Sequence, residues 1–262
     1  MAREQHSPAF WPYRVARALQ PRRDALRWLA LHPEQQSSHT IYQFAPMHDR
    51  AAQRRFSEEA QALASVSHPH LLPLQRWSFL PSAEPWVVTT YPGNHDGIVT
   101  LPDLLVGKGG QLSPSEAQRA AEQLLAASAH AHATGLAHGT IATNDVLVDR
   151  HGRVLVELYA LGRHAEALGR PRAEVIGDEV RSIVELTYRV LTGVGPEEPR
   201  IPAAKLVKRL PKALEIWLDA GLDPAAGFAT AEEALGALPD GHASTPRSPV
   251  RSVLGRLREW VS

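Results

Sequence analysis

One stretch of this chain, Ala129 to Arg163, collects the residue types that could take part in chemistry. His138, Thr140 and Asp145 follow one another closely within it. Thr140 would be a poor general base for a substrate hydroxyl. Asp145 could ligate a cation, but one carboxylate is not a dedicated Mg²⁺ site. For His138 we expect a buried, hydrogen-bonded role and not a catalytic one.

The elements that must position these residues are the end of a helix, a loop and a two-stranded hairpin. The helical pattern fades at Thr134 and Gly135. Two apolar runs, 146–148 and 154–156, flank a turn in which Gly152 suits a residue at positive φ. The pattern therefore predicts a helix–loop–hairpin unit.

A second candidate site is the histidine pair His68 and His70, which could suggest a metal ion. No third ligand lies near the pair in the sequence, so we interpret Ser67–Leu74 as a structural turn. The chain also lacks G-x-S-x-G, H-E-x-x-H, P-loop and G-x-G-x-x-G patterns, so no other catalytic motif is present.

The composition excludes several classes of protein. Lysine plus arginine equals aspartate plus glutamate, 28 against 28, so no global field would attract nucleic acid or anionic lipid. The chain has no cysteine, which excludes disulfides, thiolate zinc sites and cysteine nucleophiles. No apolar run approaches the roughly 20 residues of a membrane span, and the N-terminus lacks the apolar core of a signal peptide. We therefore expect a cytoplasmic protein.

The rest of the chain predicts strands first and helices later. A capping box at Ser113 and Glu116, with proline at the first helical position, begins a long helix that ends at Ala133. Val250–Val261 has apolar residues at helical spacing, which fits a helix docked on the domain or an amphipathic helix for a partner or membrane surface. The other predicted elements are the strands Tyr13–Leu19, Ala25–Leu31, Thr40–Phe44 and Pro85–Thr90, and the helices Ala51–Ser65, Asp178–Thr192, Leu210–Leu222 and Ala231–Leu238.

The helix–loop–hairpin unit resembles the catalytic loop and metal-binding segment of the protein kinases, which read H-R-D-L-x-x-x-N, then a hairpin, then D-F-G. His138 stands at the histidine of that motif, and Thr140 replaces its catalytic aspartate. Asp145 stands at the metal-binding asparagine, and Leu158 stands at the aspartate of D-F-G. The frame of the motif is kept, and most of its chemistry is missing.

Further stretches resemble the same family in the expected order. Ser67–Leu74 is similar to the H-P-N-I-V junction, and Asp223–Thr230 is similar to D-P-x-x-R-x-x-T. Glu179 falls on the aspartate with which the family anchors its catalytic loop. The resemblance also implies an apolar spine that joins two lobes, formed by Leu63, His138 and Tyr159.

The groups that hold a nucleotide in that family are replaced here. The best register of the third strand puts Gln43 at the phosphate-binding lysine, and a one-residue slip would put Tyr42 there. Glu59 falls at the glutamate that would pair with that lysine. No glycine occurs before Gly93, so the glycine-rich lid over the phosphates is absent. The connection His164–Gly177 is shorter than the family's usual activation segment.

The resemblance implies an α+β, bilobal protein kinase-like fold with a short activation segment. A small β-rich N-lobe with one main helix would occupy residues 13–90, after a tail at 1–12. A larger helical C-lobe, with a hinge at its start, would occupy 91–240. A linker at 241–249 would lead to the amphipathic helix 250–262.

The replaced groups predict a pseudokinase that is not an enzyme. Phosphoryl transfer needs positioning and neutralisation of phosphate charge. Gln43 cannot neutralise phosphate, and Leu158 cannot hold Mg²⁺. We expect no ATP binding, no cofactor and no metal ion, with Gln43, Glu59, Thr140, Asp145 and Leu158 as degenerate remnants of the site. The predicted role is a protein-binding scaffold or regulatory module in bacterial signalling.

Two alternatives stay open. One is a divergent nucleotide-binding phosphotransferase with Glu59, Asp145 and Glu157 as metal ligands, although Glu157 should alternate to the far face from Leu158. The other is a sensor that binds a ligand between the lobes without turnover. The expected partner is another protein: a kinase, a phosphopeptide-binding protein or a membrane-associated protein. Nucleic acid is not expected, and any contact with a membrane surface would use residues 250–262.

Overall fold

The computed structural model describes residues 10–22, 25–91, 99–149, 151–161, 170–197 and 199–239. They form a first lobe around a five-stranded sheet and a second lobe that is mainly helical. The predicted α+β, bilobal architecture is therefore confirmed. The expected linker 241–249 and C-terminal helix 250–262 lie outside the described residues, as do residues 1–9 of the tail and residues 164–169 of the predicted activation segment.

The N-lobe sheet is antiparallel throughout and carries one main helix, α1 (Arg50–Ser65). Asp49 caps this helix by accepting from the backbone N–H groups of Ala51 and Ala52. In spatial order the strands are β1 (Arg14–Arg22), β2 (Ala25–His32), β3 (Ser37–Phe44), β5 (Pro85–Thr90) and β4 (Leu74–Phe79).

The two faces of this sheet have separate cores. Successive residues of a strand point to opposite faces, and on β3 Ile41 packs with Phe10 and Trp86 on the outer face. Tyr42 lies on the inner face with Val87, in the core that continues through α1 into the C-lobe. The inner face of β3 is therefore the face directed toward the C-lobe.

The C-lobe is organised by two long helices, α3 (Pro114–Ala133) and α4 (Arg172–Thr192). The predicted capping box at the start of α3 is present, with both reciprocal hydrogen bonds of Ser113 and Glu116. No helix in the described part of the chain is long and apolar enough to cross a membrane. The remaining helices are α2 (Leu101–Gly107), α5 (Ala203–Leu206), α6 (Lys212–Gly221) and α7 (Ala231–Ala237).

The predicted hairpin is confirmed and forms part of a three-stranded sheet. Strand β7 (Val146–Val148) pairs with β8 (Val154–Val156) and with a short strand β6 (Val99–Thr100). All six residues of β7 and β8 are buried. The hairpin is thereby fixed between the lobes, directly beside the loop that carries His138.

Helix α4 begins earlier than the sequence predicted, at Arg172 and not at Asp178. Val175 is buried one turn before Glu179, so the buried stripe of the helix continues toward its N-terminus. The guanidinium of Arg172 also donates to the carbonyl oxygen of His132 at 2.6 Å. The predicted connection 164–177 therefore loses residues 172–177 to the helix.

Candidate functional site

Glu179 on α4 anchors the loop that carries His138. Its side chain is fully buried. One carboxylate oxygen accepts from the Ser128 hydroxyl at 2.6 Å and from the Tyr159 hydroxyl at 2.5 Å. The other accepts from the backbone N–H groups of His138 at 2.5 Å and Gly139 at 3.2 Å. The anchoring position predicted for Glu179 is therefore confirmed, and a buried charge is satisfied by four donors.

The surroundings of Glu179 favour its ionised form. Burial alone would raise the pKa of this carboxyl, but His132, His138 and Ser128 outweigh that effect and hold it below its ordinary value of 4.5. The Nε2 atom of His132 lies 3.2 Å from the carboxylate. Burial, followed by the charge of Glu179, raises the pKa of Tyr159 well above 10.0, which keeps its hydroxyl a donor.

Acid should destabilise the protein through Glu179. Because the folded-state pKa lies below 4.5, ionisation stabilises the fold fully above that pH, and this contribution is lost as the pH falls through the lowered pKa. We expect the free energy of urea unfolding to fall more steeply below about pH 4.5 in the wild type than in Glu179→Gln. An equal dependence of the free energy of unfolding on pH in the two proteins would contradict the role of the Glu179 carboxylate.

His138 and Tyr159 form the contact expected of the spine. Their ring centroids lie 5.1 Å apart, and Tyr159 shares its core with Leu63 of α1. His138 Nδ1 accepts from the backbone N–H of Ala160 at 2.8 Å. The proton of the neutral ring therefore sits on Nε2, which lies 3.5 Å from an oxygen of Asp145. His138 is buried and hydrogen-bonded, as predicted.

The other predicted positions of the loop are placed as follows. Asp145 is buried, and its carboxylate accepts from the backbone N–H of Ala142 at 3.0 Å, so it shapes the loop itself. Thr140 is exposed. Leu158 is buried with φ at 51°, a left-handed conformation that is rare for a residue other than glycine. Its side chain carries no atom that could ligate a metal ion.

A cluster of charged and polar side chains, Arg22, Arg27, Tyr42 and Glu157, lies between the lobes; we name it the cleft cluster. Arg22, at the end of β1, donates to the carboxylate of Glu157 and to the backbone carbonyl of Asn144. The Tyr42 hydroxyl donates to the same carboxylate. Arg27 lies opposite Tyr42 in the β2–β3 pairing, with a guanidinium nitrogen 3.6 Å from Glu157. The cluster joins the N-lobe to the C-lobe.

The prediction that Glu157 would point to the far face from Leu158 stays a prediction, and the structure places the Glu157 carboxylate in the cleft. Regular alternation holds only within a strand, and β8 ends at Val156. Both side chains are buried, and Glu157 faces the cleft.

The register of β3 is also corrected. Gln43, predicted at the lysine position, lies on the outer face, where its side-chain oxygen accepts from the indole N–H of Trp28 at 3.1 Å. Tyr42 faces the cleft in its place. Burial, followed by the charge of Glu157, raises the pKa of the Tyr42 phenol well above 10.0. The hydroxyl is therefore protonated and acts as the donor to Glu157.

The candidate metal ligands of the phosphotransferase alternative do not converge. Glu157 donates its backbone N–H to the carbonyl of Asp145 at 2.9 Å, but its carboxylate is taken up by the cleft cluster. Glu59 is half-exposed on α1. Within the described ranges, no group of three histidine, cysteine, aspartate or glutamate side chains is placed to hold a metal ion.

Sequence reasoning missed two features of this region. His130 of α3 stacks on His68 with ring centroids 5.2 Å apart, so the His68 and His70 pair does have a third histidine beside it.

Sequence reasoning also missed Arg22 and Arg27 of the cleft cluster. The available signal was strand pairing, because a β2–β3 hairpin closed over 33–36 sets Arg27 opposite Tyr42.

Comparisons with known proteins agree with this architecture. A family model described as protein tyrosine and serine/threonine kinase matches residues 27–172. The serine/threonine-protein kinase PrkC of Bacillus subtilis is 29% identical over 121 residues, which is 46% of this chain and 18% of PrkC. The crystal structure of the Mycobacterium tuberculosis PknI kinase domain superposes with a TM-score of 0.71 at 19% identity, over 89% of this chain and 97% of that one. A second crystal structure of that domain gives 0.67 at 18% identity, over 87% and 95%.

These findings correct one prediction and establish the family. The prediction that the protein is not an enzyme is contradicted, because the matching model describes protein kinases, PrkC is named as a serine/threonine-protein kinase, and the solved structures are those of a kinase domain. The fold is that of a bacterial Ser/Thr-kinase-like protein, as the resemblance implied. The family model covers more than half of the residues, and the chain belongs to the protein tyrosine and serine/threonine kinase family.

Proposed function

We propose that this chain is a regulatory member of bacterial Ser/Thr-kinase-type signalling that acts by binding another protein. The supporting observation is the cleft cluster, in which Arg22 of the N-lobe holds Glu157 and Asn144 of the C-lobe. This contact, together with the core that Tyr159 shares with Leu63 of α1, holds the two lobes in one arrangement. A fixed arrangement presents a constant outer surface, and preorganised surfaces lose less free energy on association.

The partner should be another signalling protein, and cross-linking in the source cells can identify it. We expect one protein to be recovered repeatedly with the tagged chain, and the tagged partner to recover the chain in return. The purified pair should then bind saturably in isothermal titration calorimetry. A set of recovered proteins in which none binds the purified chain would reject the proposal.

A divergent phosphotransferase is the second candidate, and membership of the kinase family favours it. The residue to test is Asp145, which stands at the metal-binding position of the catalytic loop and is buried beside His138. Transfer of labelled γ-phosphate from ATP to the chain itself or to an acceptor protein, with Mg²⁺ or Mn²⁺, should fall at least about tenfold in Asp145→Ala, which removes the only oxygen ligand at this position. Absence of transfer with both metals would reject this candidate and leave the binding proposal unaffected.

A further inference from the structure

The guanidinium of Arg27 is largely, but not fully, buried and is poorly satisfied. Its side chain is 14% exposed. Its Nε atom is buried and has no hydrogen-bond partner among the described residues. Its other contacts are long, 3.4 Å to the carbonyl of Gln20 and 3.6 Å to the Glu157 carboxylate, with the Tyr42 ring 5.4 Å away. The terminal nitrogens make only these long contacts, so they retain capacity to donate to an anion.

Arg22 lies on the other side of the same carboxylate. Its side chain is 12% exposed and contacts both Glu157 and the carbonyl of Asn144. Two guanidinium groups thus share the single negative charge of Glu157, and the cluster of these three side chains has one positive charge in excess. Guanidinium groups bind carboxylate and phosphate with the same geometry, and a phosphate offers more acceptor oxygens than a carboxylate.

We propose that Arg22 and Arg27 form an anion site at the N-lobe side of the cleft, that Glu157 is its internal ligand, and that a phosphate-bearing molecule binds there by displacing Glu157. The positive charge comes from β1 and β2, and not from the third strand. Glu157 then opposes binding in two ways, because it occupies Arg22 and repels an incoming anion. The inference concerns the cleft alone and does not depend on the partner protein.

The test is a titration with pyrophosphate in EDTA, followed by thermal shift and calorimetry. The key variant is Glu157→Gln, which keeps the size of the side chain and removes its charge. We expect its apparent Kd for pyrophosphate to be at least about tenfold lower than that of the wild type. The matched control is Glu58→Gln, which removes the same charge from an exposed pair with Arg54. It should bind as the wild type does.

Arg27→Gln shows where the anion binds, and it provides a second test if Glu157→Gln does not fold. In this variant Glu157 keeps Arg22 and Tyr42 as partners, so the fold should persist. The weak binding of pyrophosphate to the wild type at millimolar concentration should be lost in Arg27→Gln. Equal binding to the wild type and Arg27→Gln would overturn the proposal, as would an unchanged Kd in a folded Glu157→Gln protein.

Parallel titrations with inorganic phosphate and ATP distinguish the sources of the phosphate group. Binding of pyrophosphate and ATP with the same dependence on Arg27 supports a site for the phosphate chain itself. Binding of inorganic phosphate with that dependence supports a site for a single phosphate group. ATP binding that persists in Arg27→Gln, without any binding of pyrophosphate, would place recognition elsewhere and overturn the proposal.

Discussion

Replacing Glu179 with alanine should lower the free energy of unfolding by about 3–5 kcal/mol, because it breaks a buried charged network. The carboxylate satisfies the hydroxyl groups of Ser128 and Tyr159 and the backbone N–H groups of His138 and Gly139. Alanine would leave these donors buried without an acceptor, at about 1–3 kcal/mol for each donor that cannot find water. The measurement is urea unfolding followed by circular dichroism.

The matched control for this variant lies on the same helix. Glu174 is exposed in the first turn of α4, and Glu174→Ala should change the free energy of unfolding by no more than about 0.5 kcal/mol. A loss below about 1 kcal/mol in Glu179→Ala would mean that the loop carrying His138 does not depend on this anchor.

Tyr159 should show the second large effect, and two substitutions separate its two roles. Tyr159→Ala removes a fully buried ring from the contact with His138 and should cost about 3–5 kcal/mol. Tyr159→Phe keeps the ring and removes only the hydroxyl that donates to Glu179. It should cost about 1.5 kcal/mol, the lower end for a hydrogen bond to a charged group.

The comparison of the two Tyr159 variants is the informative measurement. Similar losses in both would mean that the hydroxyl carries the whole effect and that the ring contact with His138 contributes little. A large loss of unfolding free energy in Tyr159→Ala alone supports the packed spine, in which Tyr159 shares a core with Leu63 and contacts His138.

Much of the fold could be predicted because it depends on local patterns. The capping box at Ser113 fixes the start of α3 through its own side chains, and the hairpin 146–156 shows two apolar runs around a turn. Glu179 could be placed by counting along an amphipathic helix. The start of α4 could not, because the buried side chain of Val175 gains its contacts only from the tertiary packing.

The cleft cluster could not be predicted from the sequence, for a different reason. The short third strand does not show which of Tyr42 and Gln43 faces inward, since both are buried, one in each layer. Glu157 follows Val156, the last residue of β8, and beyond the end of a strand the alternation of side chains no longer fixes their direction. Arg22 reaches Glu157 across 135 positions of sequence, and no local pattern signals such a contact.

The prediction about enzyme activity was wrong for another reason, because it inferred function from residues missing at their usual positions, and the family comparisons contradict it. It rested on several groups that are replaced at once: the family's lysine, its catalytic and metal-binding aspartates, and the glycine-rich lid. The structure places the guanidinium groups of Arg22 and Arg27 against the carboxylate in the cleft. A group missing from its usual strand is therefore not evidence that the cleft lacks that charge.

The central claim is that Arg22 and Glu157 join the two lobes, and a double-mutant cycle tests it most directly. The free energies of unfolding are measured for the wild type, Arg22→Gln, Glu157→Gln and the double variant. Because the two side chains are in contact and largely buried, we expect a coupling free energy of about 1–3 kcal/mol. Losses that add within about 0.3 kcal/mol would contradict the claim, because distant and independent residues behave in that way.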